Sequence, residues 1–377
     1  MPLWRQAYRI LRKEGPTVLL NRSLEFLRQK GIKWMFAQVI WKLLPESKVK
    51  YAISKSKLLT TVFFYFRGTF YPEQRAILRG KTKYNSLERG DSPNNRLIKS
   101  THQIEKGLSM EDRRNIFAEG YINDLVRDVE VAWNIENQNI SPEQLQWSVD
   151  VLNQYFSVVD DTEIISEARD TFENFLQNID YEPDDQVPRK RKHIQNSPVS
   201  YNEFKQLAEQ RSSTRWFQQE PVPRELIDDA IRVAAQSPSA CNRQSFEYRV
   251  YDDQEILDEI LQPPLGVSGF RDNIPCLVVL TGKQRAYRRD QEKNVVFIDA
   301  SLSAMTFQYA LESMGLASCT INWPAIPSEY KRMQRIIDLD DDEIIITLMA
   351  VGYPAPDGMV PYSKKRDLNQ LRSYNRQ

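Results

Sequence analysis

Apolar positions along the chain change their period more than once, and the changes divide it into stretches of different build. Near the start, Tyr8, Ile10 and Leu11, then Leu19, Leu20, Leu24 and Leu27, recur at helical spacing with Arg and Lys between them. That spacing predicts amphipathic helices with a basic polar face. From about 81 to 179 the text is again mainly helical. Ser141-Pro142-Glu143 marks a helix start, with Ser as N-cap and Pro preset for the first turn. Asp161 or Thr162 opens the next helix, whose Ile164, Ile165, Ala168, Phe172, Phe175 and Leu176 fall on one face. Over about 180–198 the apolar period disappears. Asp184-Asp185, the run Arg189 to Lys192, and Pro183, Pro188 and Pro198 predict an exposed linker.

After Tyr201 the pattern alternates between helix and strand. A helix over 223–236 follows from Leu226, Ile227, Ala230, Ile231 and Ala234. Strands are predicted at 246–251, 276–281 and 344–351. The last two are near-continuous apolar runs, as expected of strands covered on both faces. A strongly apolar helix over 299–314 is closed by Gly315 in the C′ position. These elements predict an α+β fold, with a central sheet flanked by long helices and a mainly helical region before it. The 377 residues exceed what one core usually supports. The expected organisation is a basic, aromatic-rich amphipathic arm over 1–70, a helical region over 71–180, a linker over 181–199, and a domain over 200–377.

Charge changes this picture at one end only. The chain balances 51 Lys and Arg against 51 Asp and Glu, which argues against a general polyanion binder and against nucleic acid as a partner. Residues 1–57 nevertheless hold 13 basic and 3 acidic residues, beside Trp4, Trp34, Phe36 and Trp41. A basic helical face next to Trp and Phe suits either the chain's own acidic part or a membrane surface. The apolar runs 34–44 and 58–66 are too short to span a bilayer, which needs about 20 residues. The start lacks the apolar core and small-residue cleavage site of a secretory signal. The expected location is cytoplasmic, with peripheral contact at the inner membrane surface open. Cys241, Cys276 and Cys319 form no paired spacing and read as structural thiols. With only His102 and His193 in the chain, no metal site is expected.

Two segments carry candidate chemistry. In Arg211-Ser212-Ser213-Thr214-Arg215-Trp216-Phe217 two guanidiniums stand four residues apart with hydroxyls between them, a set that suits phosphate oxygens. In Ser237-Pro238-Ser239-Ala240-Cys241-Asn242-Arg243-Gln244, small residues permit close backbone approach, and the amides offer donors and acceptors to a flat polar heterocycle. Alone, each also reads as an ordinary surface run or helix-end turn. A third segment, His102-Gln103-Ile104-Glu105-Lys106-Gly107-Leu108, puts His102 and Glu105 on one helix face. It reads as a helix end with a surface Glu105–Lys106 pair, or as a substrate contact or proton relay.

Taken in order, the first two segments, Met314-Gly315-Leu316-Ala317-Ser318-Cys319, Val351-Gly352-Tyr353-Pro354 and Lys364-Lys365-Arg366 resemble the nitroreductase family. The resemblance covers roughly 201–372. It implies FMN at the interface of an intertwined homodimer. Arg211 and Arg215 would hold the phosphate and ring edge, with Ser213 on the ribityl side and Ser212 a further cofactor-binding candidate. Pro238, Ser239, Ala240 and Asn242 would reach the flavin from the other subunit, with Gln244 supporting that loop. Lys364 or Lys365, with Arg366, would complete the phosphate clamp. The backbone of Thr320, Ile321 and Asn322 would approach flavin N5. Asn322 departs from the acidic residue of some members, and Ser245 stands where Pro is usual. Asn322 and His102 are the candidates for a catalytic side chain.

The activity so implied is transfer of hydride from NADH or NADPH to an electron-poor nitro, quinone or enone compound, in ping-pong order. The chain holds no Gly-x-Gly-x-x-Gly for a separate dinucleotide fold. The His102 to Leu108 phrase resembles one that accompanies nitroreductase-like domains among polysaccharide-synthesis enzymes. The competing expectation is therefore a flavin-fold scaffold in a membrane-surface assembly.

Overall fold

The computed structural model describes residues 48–84, 94–134, 140–264, 266–324 and 326–376. The helices predicted from Tyr8 to Leu27 and the apolar run 34–44 lie outside the described residues. The chain divides into two compact units, 1–72 with 325–327, and 73–324 with 328–377.

In the first unit, α1 (Lys48–Ser54) is followed by α2 (Lys57–Arg67). Ser56 caps α2 by accepting from the Leu59 N–H, and Gly68, at φ 64°, ends it in the left-handed conformation that glycine tolerates best. Leu58, Leu59, Val62 and Tyr65 are exposed. No helix among the described residues is long and apolar enough to cross a membrane.

The second unit has a helical region built on one core and a sheet region with a core on each face of its sheet. After α3 (Tyr71–Tyr84), whose Ala76 packs with Ala286, Tyr287, Val296 and Ile344, the helical region holds α4 (Asn94–Leu108), α5 (Ile122–Asn134), α6 (Pro142–Val158) and α7 (Glu163–Leu176). Leu97 and Ile104 of α4, Leu125 and Val129 of α5, Leu152 and Tyr155 of α6, and Ile165 and Phe172 of α7 meet in one cluster. Ser141 and Gln144 form a reciprocal capping box at α6, and Thr162 caps α7. Such caps contribute about 1 kcal/mol each. The stretch 180–199 holds only a short turn, Arg191–His193, and its first part is tied to α6. Asp150, buried, accepts from the Tyr181 hydroxyl at 2.7 Å and the Gln186 N–H at 2.9 Å.

The sheet region is α+β. It contains α8 (Tyr201–Gln210), α9 (Arg224–Ala234), β1 (Phe246–Tyr251), α10 (Gln254–Ile260), β2 (Cys276–Lys283), α11 (Val295–Ser313), β3 (Ala317–Ile321), α12 (Pro327–Ile336), β4 (Glu343–Gly352) and α13 (Leu368–Leu371). The strands run in the order β1-β2-β4-β3, every pair antiparallel. Alternation along β2 explains its unbroken apolar text. Leu277 and Val279 join a core with Leu257, Ile260 and Met333, while Cys276, Val278 and Leu280 join another with Ala230, Ala300 and Phe307. Helices thus cover both faces.

Two expectations change here. Helix α11 begins at Val295, four residues before the predicted start at 299. Strand β3 was not expected at all, because Ala-Ser-Cys-Thr-Ile has neither a long apolar run nor alternation. Gly315, at φ 80°, closes α11 and turns the chain into β3.

Candidate functional site

The Arg211 segment continues α8 into an extended strip beside β3. Arg211 caps α8, its N–H donating to Leu207 O. Ser213 then bridges Ser318, and the Thr214 N–H donates to Ser318 O at 3.1 Å. Thr214 is buried in this seam, while Arg211, Ser212 and Ser213 are half-buried and Arg215 is exposed. The Arg215 guanidinium lies 5.8 Å from the Phe270 ring centroid. Both arginines reach the neighbourhood of Cys319. Burial pushes that thiol up, and Arg215 and Arg211 oppose the shift. Neither guanidinium has an ion-pair partner among the described residues.

Strand β3 is held to α11 through one amide. Gln308 Oε1 accepts from Thr320 Oγ1 at 3.1 Å and from Ser318 Oγ at 3.4 Å. Thr320 and Asn322 are exposed, and Ile321 is buried between them. Trp323 follows, buried, and its indole N–H has no acceptor among the described residues. No sequence feature singled out Trp323.

The second segment forms a locked turn, Ala240–Asn242, between α9 and β1. Cys241, Asn242 and Gln244 take φ of 54°, 52° and 45°. Left-handed non-glycine residues cost roughly 1–2 kcal/mol each unless other bonds hold them, Asn less than most. The bonds are present. Asp299 Oδ2, at the start of α11, accepts from the Ala240 N–H at 3.0 Å and the Tyr287 hydroxyl at 3.2 Å. Ser239 Oγ accepts from the Gln244 N–H at 3.1 Å, and Gln244 Nε2 donates to Asn242 Oδ1 at 3.1 Å. Arg243 points inward, donating to Ala286 O and Glu292 and stacking 4.8 Å over Tyr287. Pro238 is exposed, and Ser239, Ala240, Asn242 and Gln244 are half-buried.

Within one chain these two segments are not neighbours. Asp299 anchors the turn and Gln308 anchors β3, which puts the anchors about 14 Å apart along α11 at 1.5 Å per residue. Nor does the chain bring its own tail to the arginines. Tyr353 and Ala355 pair with Gln218 and Trp216, but 359–376 is exposed, and Arg366 contacts Gln370. Lys364 lies on the same exposed stretch.

The His102 segment departs from the surface-pair reading. Glu105 does not pair with Lys106. It accepts from His102 Nδ1 and from Trp147 Nε1, both at 2.9 Å, while Lys106 Nζ lies 3.8 Å from Cys241 Sγ. Helix α4 packs on the Ala240–Asn242 turn. Gly107 sits in the last turn of α4, where a Cβ would meet the Phe117 ring at 2.3 Å. Cys276 and Cys319 are buried as expected of structural thiols, whereas Cys241 is half-buried at this contact.

With an unpaired cationic strip, an open strand end and a strained polar turn in place, the class of the domain follows from its sequence. The family model of the nitroreductase family, a family of flavin oxidoreductases, matches residues 208–267 and 261–353 in the C-terminal region of this chain. The curated relatives carry a narrower name. Iodotyrosine deiodinase of Danio rerio is 25% identical over 256 residues, covering 56% of this chain and 81% of the relative. Human iodotyrosine deiodinase 1 is 22% identical over 228 residues, 50% of this chain and 78% of the relative. Among solved structures, the chain is similar to an FMN-dependent nitroreductase from Clostridium difficile R20291 (22% identity, TM-score 0.39, 45% of this chain and 98% of that one). It is also similar to the NfrA1 nitroreductase of Bacillus subtilis (20% identity, TM-score 0.40, 46% and 73%).

Proposed function

We propose that this chain is an FMN-dependent oxidoreductase that works as a homodimer, takes hydride from NADH or NADPH, and reduces an electron-poor small molecule. The observation that carries the reading is the Arg211–Arg215 strip. Two guanidiniums with no ion pair among the described residues flank hydroxyls beside β3. FMN fits these residues: its phosphate asks for cations, its ribityl chain for hydroxyl partners, and its ring edge for backbone and amide groups. Arg211 and Arg215 would take the phosphate and ring edge, Ser212 and Ser213 the ribityl side, and Thr320 to Asn322 the ring. Bound there, FMN supplies two-electron hydride chemistry. The chain's part is to bind, orient and exclude water.

A second copy supplies what one chain leaves apart. The Pro238–Gln244 turn would come from the partner, as would Lys364 and Arg366. Ile298, Leu302, Met305 and Tyr309 form a stripe along α11, and Ile298 is 58% exposed. The tail adds exposed Met359 and Tyr362 at 84% and 88%. Apolar surface of this kind favours burial against a partner. Donor and acceptor would visit in turn, since the chain has no dinucleotide fingerprint. Nitroarenes, quinones and enones are the acceptors to test first, and the relatives' name adds halogenated tyrosines.

The test is the visible spectrum of the purified protein, before and after NADPH is added without oxygen. Two flavin bands that bleach are expected. A folded protein that shows no bands even after FMN is supplied would overturn the reading.

A second reading concerns location. Along α2, Leu58, Leu59, Val62 and Tyr65 are exposed, Lys50, Lys55, Lys57 and Arg67 surround them, and no acidic residue occurs over 48–72. Such a helix suits the surface of an anionic bilayer. Flotation with anionic liposomes at low salt is expected, and failure to float removes the idea.

A further inference from the structure

The face of α4 that does not enter the bundle carries a set of groups that the reading above leaves unused. Leu97, Thr101 and Ile104 point into the bundle and are buried, Thr101 bonding to Ser148. Lys99, His102 and Lys106, at i, i+3 and i+7, share the other side. That side meets the turn. The helix packs on Ala240–Asn242, and Lys106 Nζ reaches Cys241 Sγ at 3.8 Å.

His102 is held in one orientation by Glu105 of its own helix and, behind it, by Trp147 of α6. Glu105 accepts from its Nδ1–H, and the second oxygen of that carboxylate is fixed by the Trp147 indole. With Nδ1 engaged, Nε2 is the ring nitrogen left to meet a ligand. At 31% exposure the ring is neither buried nor free in solvent.

Lys99 is the unusual member. It is half-buried and has no ion pair among the described residues. Burial and the nearby Arg243 lower its hold on a proton, with Arg288 acting the same way and Glu292 and Cys241 opposing. Glu292 is already committed to Arg243 at 2.8 Å. An ammonium in that position lacks a counter-ion, and a bound anion would supply one.

We propose that the Lys99–His102–Lys106 face of α4, lying on the Ala240–Asn242 turn, is the substrate wall of the flavin site and selects acceptors that carry a carboxylate or similar anionic group. The inference rests on the FMN reading, in which this turn reaches the flavin held by the other subunit. It also gives the helical region a role in the chemistry. In that reading the flavin that meets this turn has its phosphate held by Arg211 and Arg215 of the other subunit. The α4 cations are therefore left for the anion of a second molecule. Lys99 and Lys106 contribute charge, His102 contributes a directed hydrogen bond, and Glu105 is a positioning residue.

The experiment uses the full chain loaded with FMN and reads perturbation of the flavin absorption bands as benzoate or its neutral analogue benzamide is titrated in. Wild type is expected to bind benzoate about tenfold or more tightly than benzamide, the scale of one charge-assisted bond. The pair K99M/K106M should bring the two probes to parity, while K99R/K106R keeps the preference. If the double methionine variant does not fold, K106M alone, at an exposed position, should reduce the preference severalfold. His102→Gln should weaken benzoate severalfold and leave benzamide unchanged. Equal binding of the two probes by wild type overturns the proposal, as does a preference that survives both lysine substitutions. A loss of FMN affinity in K99M/K106M without loss of riboflavin affinity also overturns it, because the cations would then serve the cofactor's phosphate. A wild-type chain that takes up no FMN removes the FMN reading and this inference together, an outcome distinct from the other three.

Discussion

The two halves of the candidate site are built on opposite principles. The Arg211–Arg215 strip has its backbone stitched to β3 through Ser318, while its charged ends have no ion pair among the described residues. The Ser239–Gln244 turn has nearly every polar group engaged, and it spends those bonds on holding three left-handed residues in place. One half offers charge on a firm backbone, and the other offers a fixed shape. A cofactor with a charged tail and a flat ring asks for both. The difference also separates two kinds of arginine: Arg211 and Arg215 have no ion pair among the described residues, whereas Arg243 is already paired and buried. Mutations in the two halves should therefore fail in different ways.

The largest effect is expected from removing the open cations. R211A/R215A deletes two charge-assisted partners, worth about 1.5–3 kcal/mol each, so FMN affinity should fall about 10²- to 10⁴-fold. Ultrafiltration with flavin fluorescence reads it. The unfolding midpoint of the FMN-free protein should barely move, and unchanged FMN retention would break the contrast at its open end. Next comes R243A at the locked end. Losing this buried guanidinium, with its bonds to half-buried Glu292 and to Ala286 O, should cost about 1.5–3 kcal/mol. Urea unfolding should show that loss in the FMN-free protein. If R243A instead left stability intact and only weakened FMN, Arg243 would belong with the ligand-binding arginines.

How much of this was legible in sequence depends on the range of the contacts involved. Strands β1, β2 and β4 and helix α9 show in the text because their apolar period is local, and α7 begins at one of its two predicted caps. Strand β3 does not show. Ala317, Ser318 and Cys319 are small, and the strand exists because β4 and Ser213 pair with it. The Arg211 and Ser237 segments could be singled out from their chemistry, whereas Thr320 to Asn322, Lys364 and Arg366 follow only from the resemblance; Gln244 Nε2 donates to Asn242 Oδ1. Their grouping could not be named, since it depends on where α11 carries Asp299 and Gln308. The Glu105–Lys106 pair was a local guess defeated by distance in sequence. Trp147, 42 positions away, takes Glu105, and Cys241, 135 positions away, takes Lys106. Lys364 and Arg366 carry the same lesson in another form, because nothing within one chain brings them to the arginines.

The smallest effect tests whether the turn's shape matters for its own sake. Ser239 Oγ is the acceptor for the Gln244 N–H, and Gln244 in turn holds the Asn242 amide. S239A removes that acceptor without adding bulk or charge. The direct loss is one partly buried hydrogen bond, about 0.5–1.5 kcal/mol, so the unfolding midpoint should fall only slightly. If the turn presents Asn242 to the flavin ring, the same change lets Gln244 leave its left-handed conformation and takes Asn242 with it. FMN affinity should then fall by a factor of a few, and riboflavin affinity by the same factor, since the phosphate is bound elsewhere. That parallel loss is the sharpest contrast with R211A/R215A, which should weaken FMN far more than riboflavin. An S239A protein that lost FMN but kept riboflavin would place the phosphate at the turn and exchange the roles of the two halves.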